Sequence, residues 1–123
     1  MATPVITETI DLAAKFPGTV TADARPGFSG WMVEKDSLLK VAAALHDELG
    51  YDLLSSVTGV DYIEQNKLEV VYHAYKSTGG PALVFKTQAE RVDPVEIPSV
   101  VSIWPGAELQ EREAWDMFGL KFT

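Results

Sequence analysis

The sequence predicts an α+β fold of two layers, in which helices pack on a mixed, mostly antiparallel sheet of about four strands. Three observations support it. An apolar stripe at helical spacing runs from Leu38 to Leu49, and three segments rich in β-branched and aromatic residues follow between Leu53 and Thr87. A charged segment with a helix-starting residue before it and a helix-stopping residue after it ends the sequence. The expected element order is helix, strand, helix, strand, strand, strand, helix.

The composition predicts one globular domain over residues 1–123, because 46% of the residues are hydrophobic and 23% are charged. A net charge of −8 argues against nucleic acid or an anionic membrane surface as the main partner. The absence of cysteine excludes disulfides, thiolate-bound zinc and iron–sulfur clusters, and a cysteine nucleophile. No apolar run approaches the roughly 20 residues that span a bilayer, and the N-terminus lacks a secretory layout. We therefore expect a soluble protein that is not exported.

Residues 1–30 are predicted to form an N-terminal helix and an irregular connection. The helix is expected from Thr3 to Phe16, with Pro17-Gly18 as its stop. The connection, with a brief strand at Val20, leads to a short strand at Trp31 that opens the main domain of residues 31–123.

The next helix has the clearest signal in the sequence. Asp36 or Ser37 is expected to cap it, and Gly50 to end it. Its apolar positions recur at i, i+3, i+4, i+7 and i+11, at Leu38, Val41, Ala42, Leu45 and Leu49. His46 lies beside this stripe in the last turns, where we expect a structural role.

Three strands are predicted after this helix, at Leu53–Ile63, Leu68–Ser77 and Pro81–Thr87. The first two form a hairpin, and Gly59 indicates a bulge or a close approach of another group. Ala89–Pro98 is predicted to be a loop. Periodicity cannot decide whether Ser99–Ile103 is a strand or the first turns of the last helix.

The last helix is predicted from about Ala107 to Phe118. Pro105 suits its first turn, and Gly119 suits the left-handed conformation that ends a helix. A helical wheel places five residues on one arc, the expected core face: Ala107, Ala114, Trp115, Met117 and Phe118.

Glu111 falls in the middle of that apolar arc. A buried carboxylate costs several kcal/mol unless it is protonated or hydrogen-bonded, so Glu111 must have a partner, within this chain or from another. On the other side, Glu108, Arg112 and Asp116 follow at i, i+4 spacing, and Arg112 can pair with either acid. For Glu108 and Glu113, an exposed polar face and a functional role both remain open.

Several kinds of chemistry can be weighed for these residues. Glu111 and Asp116 could act as paired carboxylates in hydrolysis, but on one helix they lie on different faces. His73 has no second ligand at metal-binding spacing, so a packed or interface histidine is the favoured interpretation. No phosphate-binding loop, zinc-protease motif or nucleophile elbow is present. A self-contained enzyme is therefore not favoured.

The C-terminal motif resembles that of the 30-kDa-type subunit, also called the C subunit, of respiratory complex I. That family shows Pro-Ser-Val, a spacer, Ala, and then Glu-Arg-Glu-x-aromatic-Asp-x-Phe-Gly-Ile/Leu. The matching residues here are Pro98-Ser99-Val100, Trp104-Pro105-Gly106-Ala107 and Glu111 through Leu120. The segments Leu54–Tyr62 and Leu68–His73 also resemble the family's strand pair, so the resemblance spans roughly Asp36 to Phe122.

The resemblance implies a non-catalytic subunit of the hydrophilic arm of NADH:quinone oxidoreductase. It implies no flavin, cluster or quinone ligand in this chain, these cofactors being expected in partner subunits. The implied partners are the hydrogenase-like subunit that forms the quinone cavity and the neighbouring iron–sulfur subunits. No nucleic acid is implied, and contact with the membrane comes only through the complex, on the cytoplasmic side of a bacterial-type inner membrane. The roles implied are assembly and support of the electron path.

The resemblance also suggests which residues form the partner interface or its structural motif: Glu111, Arg112, Glu113, Trp115, Asp116, Phe118 and Gly119. Glu111 is expected to accept hydrogen bonds inside the domain, while the charged residues face the partner or the loop before the helix.

Two matters stay open at this point. Family members usually continue beyond the Gly119–Phe122 equivalent into a Gly-His-Pro-Asp-Leu-Arg-Arg stretch and a tail that wraps the partner. We therefore expect this sequence to be part of a longer protein. Membrane-bound hydrogenases, formate hydrogenlyases and ferredoxin-dependent complexes reuse the domain, so the electron donor cannot be chosen from the sequence. A stand-alone carboxylate enzyme remains the least favoured alternative.

Overall fold

The helices and strands of the chain are given by a computed structural model, which describes residues 12–26, 30–90 and 95–123. Three short 3₁₀ turns accompany them, at Lys35–Ser37, Ile63–Gln65 and Pro105–Ala107. The elements in chain order are α1 (Leu12–Lys15), β1 (Val20–Ala22), β2 (Trp31–Val33), α2 (Leu38–Asp47), β3 (Leu53–Tyr62), β4 (Lys67–Tyr75), β5 (Leu83–Glu90), β6 (Val95–Ile97), α3 (Glu108–Phe118) and β7 (Leu120–Phe122).

The main sheet contains five strands in the order β1-β2-β5-β4-β3. All neighbouring strands are antiparallel except β2 and β5, which run parallel. The predicted α+β fold with a mixed, mostly antiparallel sheet is confirmed, and β1 raises the strand number above the expected four. A second sheet pairs β6 with β7 in parallel.

The predicted hairpin of β3 and β4 is confirmed, and polar residues form its turn. Asn66 takes the left-handed conformation there, with φ of 58°, which asparagine tolerates better than most residues. In the register of this hairpin Val57 lies opposite Tyr72. The one irregularity in the pairing of β3 with β4 lies between Leu54 and Ser56. Gly59 is therefore not at a bulge, and the other alternative, a close approach, applies to it.

The helix-facing side of the sheet forms the core together with α2. The side chains of Leu38, Val41, Ala42 and Leu45 are fully buried, as the apolar stripe predicts. Ser37 occupies the cap position but makes no side-chain capping hydrogen bond, because the turn at Lys35–Ser37 leads directly into the helix.

Trp104 connects the helix layer to the sheet. Its ring centroid lies 6.2 Å from that of His46 on α2 and 6.1 Å from that of Phe85 on β5. Its Nε1–H donates to the carbonyl of Tyr51 at 2.9 Å, so the one polar atom of this buried ring is satisfied. Phe85 in turn stacks on Tyr72 with 4.8 Å between centroids.

Two predictions between β5 and α3 need correction. Ala89–Pro98 was expected to be a loop, but β5 continues to Glu90 and Val95–Ile97 forms β6. The local signal was misleading because β6 is paired by β7, which lies more than twenty residues later in the chain. Residues 91–94, including Asp93-Pro94, lie outside the described residues.

The segment Ser99–Ile103 is neither a strand nor part of α3. The backbone N–H groups of Ile103 and Trp104 both donate to the carbonyl of Val100, at 3.0 and 2.8 Å, which makes a tight turn. Of the predicted first helix, residues 12–16 lie within the described part of the chain, and Leu12–Lys15 of them form α1.

Candidate functional site

Helix α3 begins and ends at the residues that the sequence predicts. Trp104 is extended, with φ of −124° and ψ of 90°, and Pro105 opens the 3₁₀ turn that leads into the helix. Gly119 has φ of 72° and donates its N–H to the carbonyl of Trp115 at 2.8 Å. The local backbone preferences of these residues therefore set the position of the helix along the chain.

Glu111 lies inside the protein, with 5% of its surface exposed, and its partners belong to this chain. The hydroxyl of Ser99 donates to Glu111 Oε1 at 2.7 Å, and the N–H of Val100 donates to Oε2 at 2.9 Å. Burial raises the pKa of Glu111, while these two hydrogen bonds act in the opposite direction. The expectation that this carboxylate needs a partner is confirmed, and the contact holds the turn after β6 against α3.

The buried face of α3 is narrower than the helical wheel predicts. Ala107 and Ala114 are buried and Phe118 is half-buried, in agreement with the predicted arc. Trp115 and Met117 were expected on the core face but are 58% and 74% exposed. Because Glu111 is hydrogen-bonded to the turn at Ser99 and Val100, the side of α3 that carries Glu111 faces the interior. Trp115 and Met117 therefore lie at the two edges of the buried arc.

Two contacts join α3 to the edge strand β3. A side chain on Gly59 would place its Cβ 2.7 Å from Cδ2 of Phe118, so the ring packs directly over this glycine. The N–H of Val57 donates to Gln110 Oε1 at 2.5 Å. Gln110 thus satisfies a backbone donor on the outer edge of the sheet. It was not singled out from the sequence, because its acceptor role depends on a strand 53 residues earlier.

The charged residues of α3 face outward. Arg112 NH2 lies 3.6 Å from Glu108 Oε2, and both side chains are more than 60% exposed. Glu113 and Asp116 are also exposed and make no ion pair with any residue in the described ranges. The structure therefore confirms one of the two predicted pairings of Arg112, the one with Glu108.

The structure does not bring together Glu111 and Asp116, the two carboxylates considered for hydrolysis. Glu111 is buried and Asp116 is exposed, so the two carboxylates do not share a cleft. Within the described ranges, no cluster of three or more histidine, aspartate or glutamate residues has the arrangement of a metal site. His73 Nδ1 lies 3.0 Å from the hydroxyl of Ser56, and His46 Nδ1 lies 2.8 Å from a carboxylate oxygen of Asp47.

A buried ion cluster lies on the face of the sheet that is turned away from α2. It was not predicted from the sequence. Asp23 accepts hydrogen bonds from Nε and NH2 of Arg25, at 2.9 and 2.7 Å, and from Lys86 Nζ at 2.5 Å. Arg25 NH2 also lies 3.1 Å from Oε1 of the buried Glu69. The hydrogen bond from Arg25 holds the pKa of Asp23 well below its usual range, against the raising effect of burial. No local pattern indicates this cluster, since Asp23 and Lys86 are 63 residues apart.

Comparison with known proteins identifies the class to which this fold and motif belong. The family described as respiratory-chain NADH dehydrogenase, 30 Kd subunit, matches residues 31–123. The chain is 38% identical over 91 residues to the C subunit of the NADH-quinone oxidoreductase of Moorella thermoacetica, covering 74% of this chain and 61% of that protein. It is 39% identical over 90 residues to the C subunit of the F(420)H(2) dehydrogenase of Methanosarcina mazei, covering 73% and 56%.

Solved structures give the same result for the fold. A chain of the membrane-bound sulfane sulfur reductase, an archaeal respiratory membrane complex, superposes with a TM-score of 0.75 at 27% identity, covering 90% of this chain and 65% of that one. A trypsin-resistant fragment of Nqo5 superposes with a TM-score of 0.62 at 22% identity, covering 84% and 83%, which supports the fold alone.

The chain belongs to the family of the 30-kDa subunit of respiratory-chain NADH dehydrogenase. It spans about three-fifths of the length of the first curated relatives that it matches. Among the described residues, no helix is long and apolar enough to span a bilayer.

Proposed function

We propose that this chain is a non-catalytic structural subunit of the hydrophilic arm of a proton-pumping NADH:quinone oxidoreductase. It supports assembly and electron transfer from NADH to quinone by docking on the hydrogenase-like subunit that forms the quinone site. Flavin and iron–sulfur clusters belong to the partner subunits in this proposal. In this proposal the hydrophilic arm, and this chain with it, lies on the cytoplasmic side of the inner membrane, and this chain reaches the membrane only through the complex.

The family match over residues 31–123 is the observation that carries this proposal. The form of α3 supports the docking role. Glu111 and Phe118 hold the inner side of the helix, while Trp115 and Met117 are exposed at the two edges of that buried side. Tryptophan and methionine are enriched where proteins bind one another.

The docking role is tested by Trp115→Ala in the full-length protein, expressed with its natural partner subunits and isolated through a tag on this chain. We expect recovery of the cluster-bearing partners to fall at least about tenfold, because tryptophan contributes strongly to interface free energy. The measurement is the yield of partner subunits and of quinone reductase activity per mole of tagged chain.

Leu39→Ala is the matched control, since Leu39 is an exposed apolar residue on α2. It should leave partner recovery unchanged, and both variants should melt at the wild-type temperature. Full recovery of active complex with Trp115→Ala would contradict docking through α3.

A second candidate is the equivalent subunit of a related membrane-bound complex that uses another electron donor. Two observations favour it. The identity of 39% to the F(420)H(2) dehydrogenase relative is close to the 38% to the NADH-quinone relative, and the fold superposes on the sulfane sulfur reductase chain. Identification of the subunits that co-purify with the full-length protein decides between the candidates. An NADH-oxidising flavoprotein among them supports the first, and its replacement by a hydrogenase or ferredoxin-linked subunit supports the second.

A further inference from the structure

The C-terminal half of α3 presents an aromatic and acidic surface made of exposed residues. Trp115 and Met117 are the flanks, and Asp116 lies between them on the outward side of the helix. Glu113 is exposed one turn earlier. We call residues 113 and 115–117 the α3 surface.

Helix stability does not explain the acids of this surface. The C-terminal end of a helix carries a partial negative charge, so a cation is favoured there and an acid is unfavourable. The last turn of α3 nevertheless contains Asp116 and no basic residue. Arg112, the basic residue of this helix, is directed toward Glu108 in the first turn. No basic side chain of α3 therefore offsets the negative potential at this end of the helix.

Arginine fits this surface better than lysine does. A planar guanidinium can lie on a tryptophan face and, at the same time, pair with a carboxylate through two parallel hydrogen bonds. A lysine ammonium is a strongly hydrated point charge that cannot pair in this bidentate way. Met117, on the other flank of Asp116, offers a flexible and exposed apolar side chain.

We propose that the α3 surface binds an arginine of the partner subunit, whose guanidinium lies on Trp115 and pairs with Asp116. This inference rests on the proposed function, because it names the chemistry of the partner at the docking helix. The partner surface then carries a positive charge beside an apolar area that receives Trp115 and Met117.

The first test is the stability of the assembled complex to charge reversal and to salt. Asp116→Lys in the full-length protein should lower partner recovery at least about tenfold, and Asp116→Asn should lower it less. The wild-type complex should lose partner progressively as sodium chloride is raised, and the Asp116→Asn complex should be less sensitive to salt.

Glu64→Lys is the matched control, because it makes the same change in net charge on an exposed acid in the turn between β3 and β4. It should leave recovery unchanged. Asp116 is exposed, so the melting temperature of the variant chain is expected to stay at the wild-type value, and a folded chain that still assembles fully despite Asp116→Lys overturns the inference.

The second test is a structure of the assembled complex. We expect a partner guanidinium within hydrogen-bond distance of Asp116 and within about 6 Å of the Trp115 ring centroid. A lysine, an apolar residue or a second copy of this chain at that place overturns the proposal of an arginine. The two proposals fail separately. If Trp115→Ala leaves partner recovery unchanged, docking through α3 is contradicted. If Trp115→Ala lowers partner recovery but Asp116→Lys does not, only the proposal of an arginine is contradicted.

Discussion

At the scale of single residues, Glu111 shows how a carboxylate on an apolar face is accommodated. Each of its oxygens accepts one hydrogen bond from the turn at Ser99 and Val100. The hydroxyl of Ser99 also accepts from the N–H of Val101 at 3.2 Å, so one serine links the helix to the backbone of the turn. The acid of the family motif therefore has a structural role inside this domain.

Removal of the Glu111 carboxylate should destabilise the protein. Glu111→Ala leaves the buried N–H of Val100 without its acceptor, for which we expect a loss of about 2–3 kcal/mol in the free energy of unfolding. Chemical denaturation measures it. Glu113→Gln on the exposed side should change this free energy by less than about 0.5 kcal/mol. An equal effect of the two substitutions would show that the buried contact contributes nothing.

The same residue makes a prediction about pH. Burial raises the pKa of folded Glu111 above its ordinary value of 4.5, so the folded protein holds this proton more tightly than the unfolded chain. The contribution of protonated Glu111 to the free energy of unfolding is fully present below about pH 4.5. It is lost as the pH rises through the pKa that Glu111 has in the folded protein. The stability advantage of the wild type over Glu111→Gln should therefore shrink across that range. Denaturation curves at successive pH values test this, and an advantage that grows with pH would contradict it.

At the scale of elements, the contact between α3 and β3 depends on the lack of a side chain at Gly59. Gly59→Ala would place Cβ 2.7 and 2.8 Å from two ring carbons of Phe118 and 3.5 Å from Leu120. The ring must shift, and we expect a loss of about 1–3 kcal/mol in the free energy of unfolding. Thermal melting measures the loss.

Gly106→Ala is the matched control for this contact, since a Cβ there meets nothing within 4 Å. Phe118→Leu, which shortens the ring side chain, should restore part of the stability lost in Gly59→Ala. If the two glycine variants melt at the same temperature, the close approach of Phe118 to Gly59 does not contribute to the fold.

At the scale of the whole molecule, the ion cluster joins the N-terminal part of the chain to the sheet. Asp23 and Arg25 follow β1, outside the residues matched to the family, whereas Glu69 and Lys86 belong to β4 and β5. In addition, β1 pairs with β2 and forms one edge of the main sheet. The segment after β1 is thus bound to the family core by strand pairing and by charge-assisted hydrogen bonds.

Asp23→Asn should destabilise the whole fold at neutral pH. It removes the charge that accepts hydrogen bonds from Arg25 and Lys86 in a buried position, and we expect a loss of about 3 kcal/mol in the free energy of unfolding. Because the pKa of folded Asp23 is lowered, its contribution is present above about pH 3.8 and is lost as the pH falls through the folded value. Urea denaturation at pH 7 and at lower pH measures both effects. Glu64→Gln, an exposed acid, should leave the midpoint unchanged, and a loss for Asp23→Asn that grows on acidification would contradict this account.

The sequence by itself determined the features that depend on neighbouring residues. The limits of α3 follow from Pro105 and Gly119, because these residues restrict or widen their own φ angles. The core stripe of α2 and the alternation of β4 follow from the periods of helix and strand. The need of Glu111 for a partner follows from its place on an apolar arc, and the motif around it identified the family.

Only the tertiary structure decided which distant residues meet. The strand β6 exists because β7 pairs with it, and the rotation of α3 that exposes Trp115 and Met117 depends on hydrogen bonds from a turn eleven or twelve residues earlier. The ion cluster brings together Asp23 and Lys86 from opposite parts of the chain. Local patterns record which conformation a segment prefers, whereas these contacts depend on how the segments pack, and the free energy of packing is shared among residues far apart in the sequence.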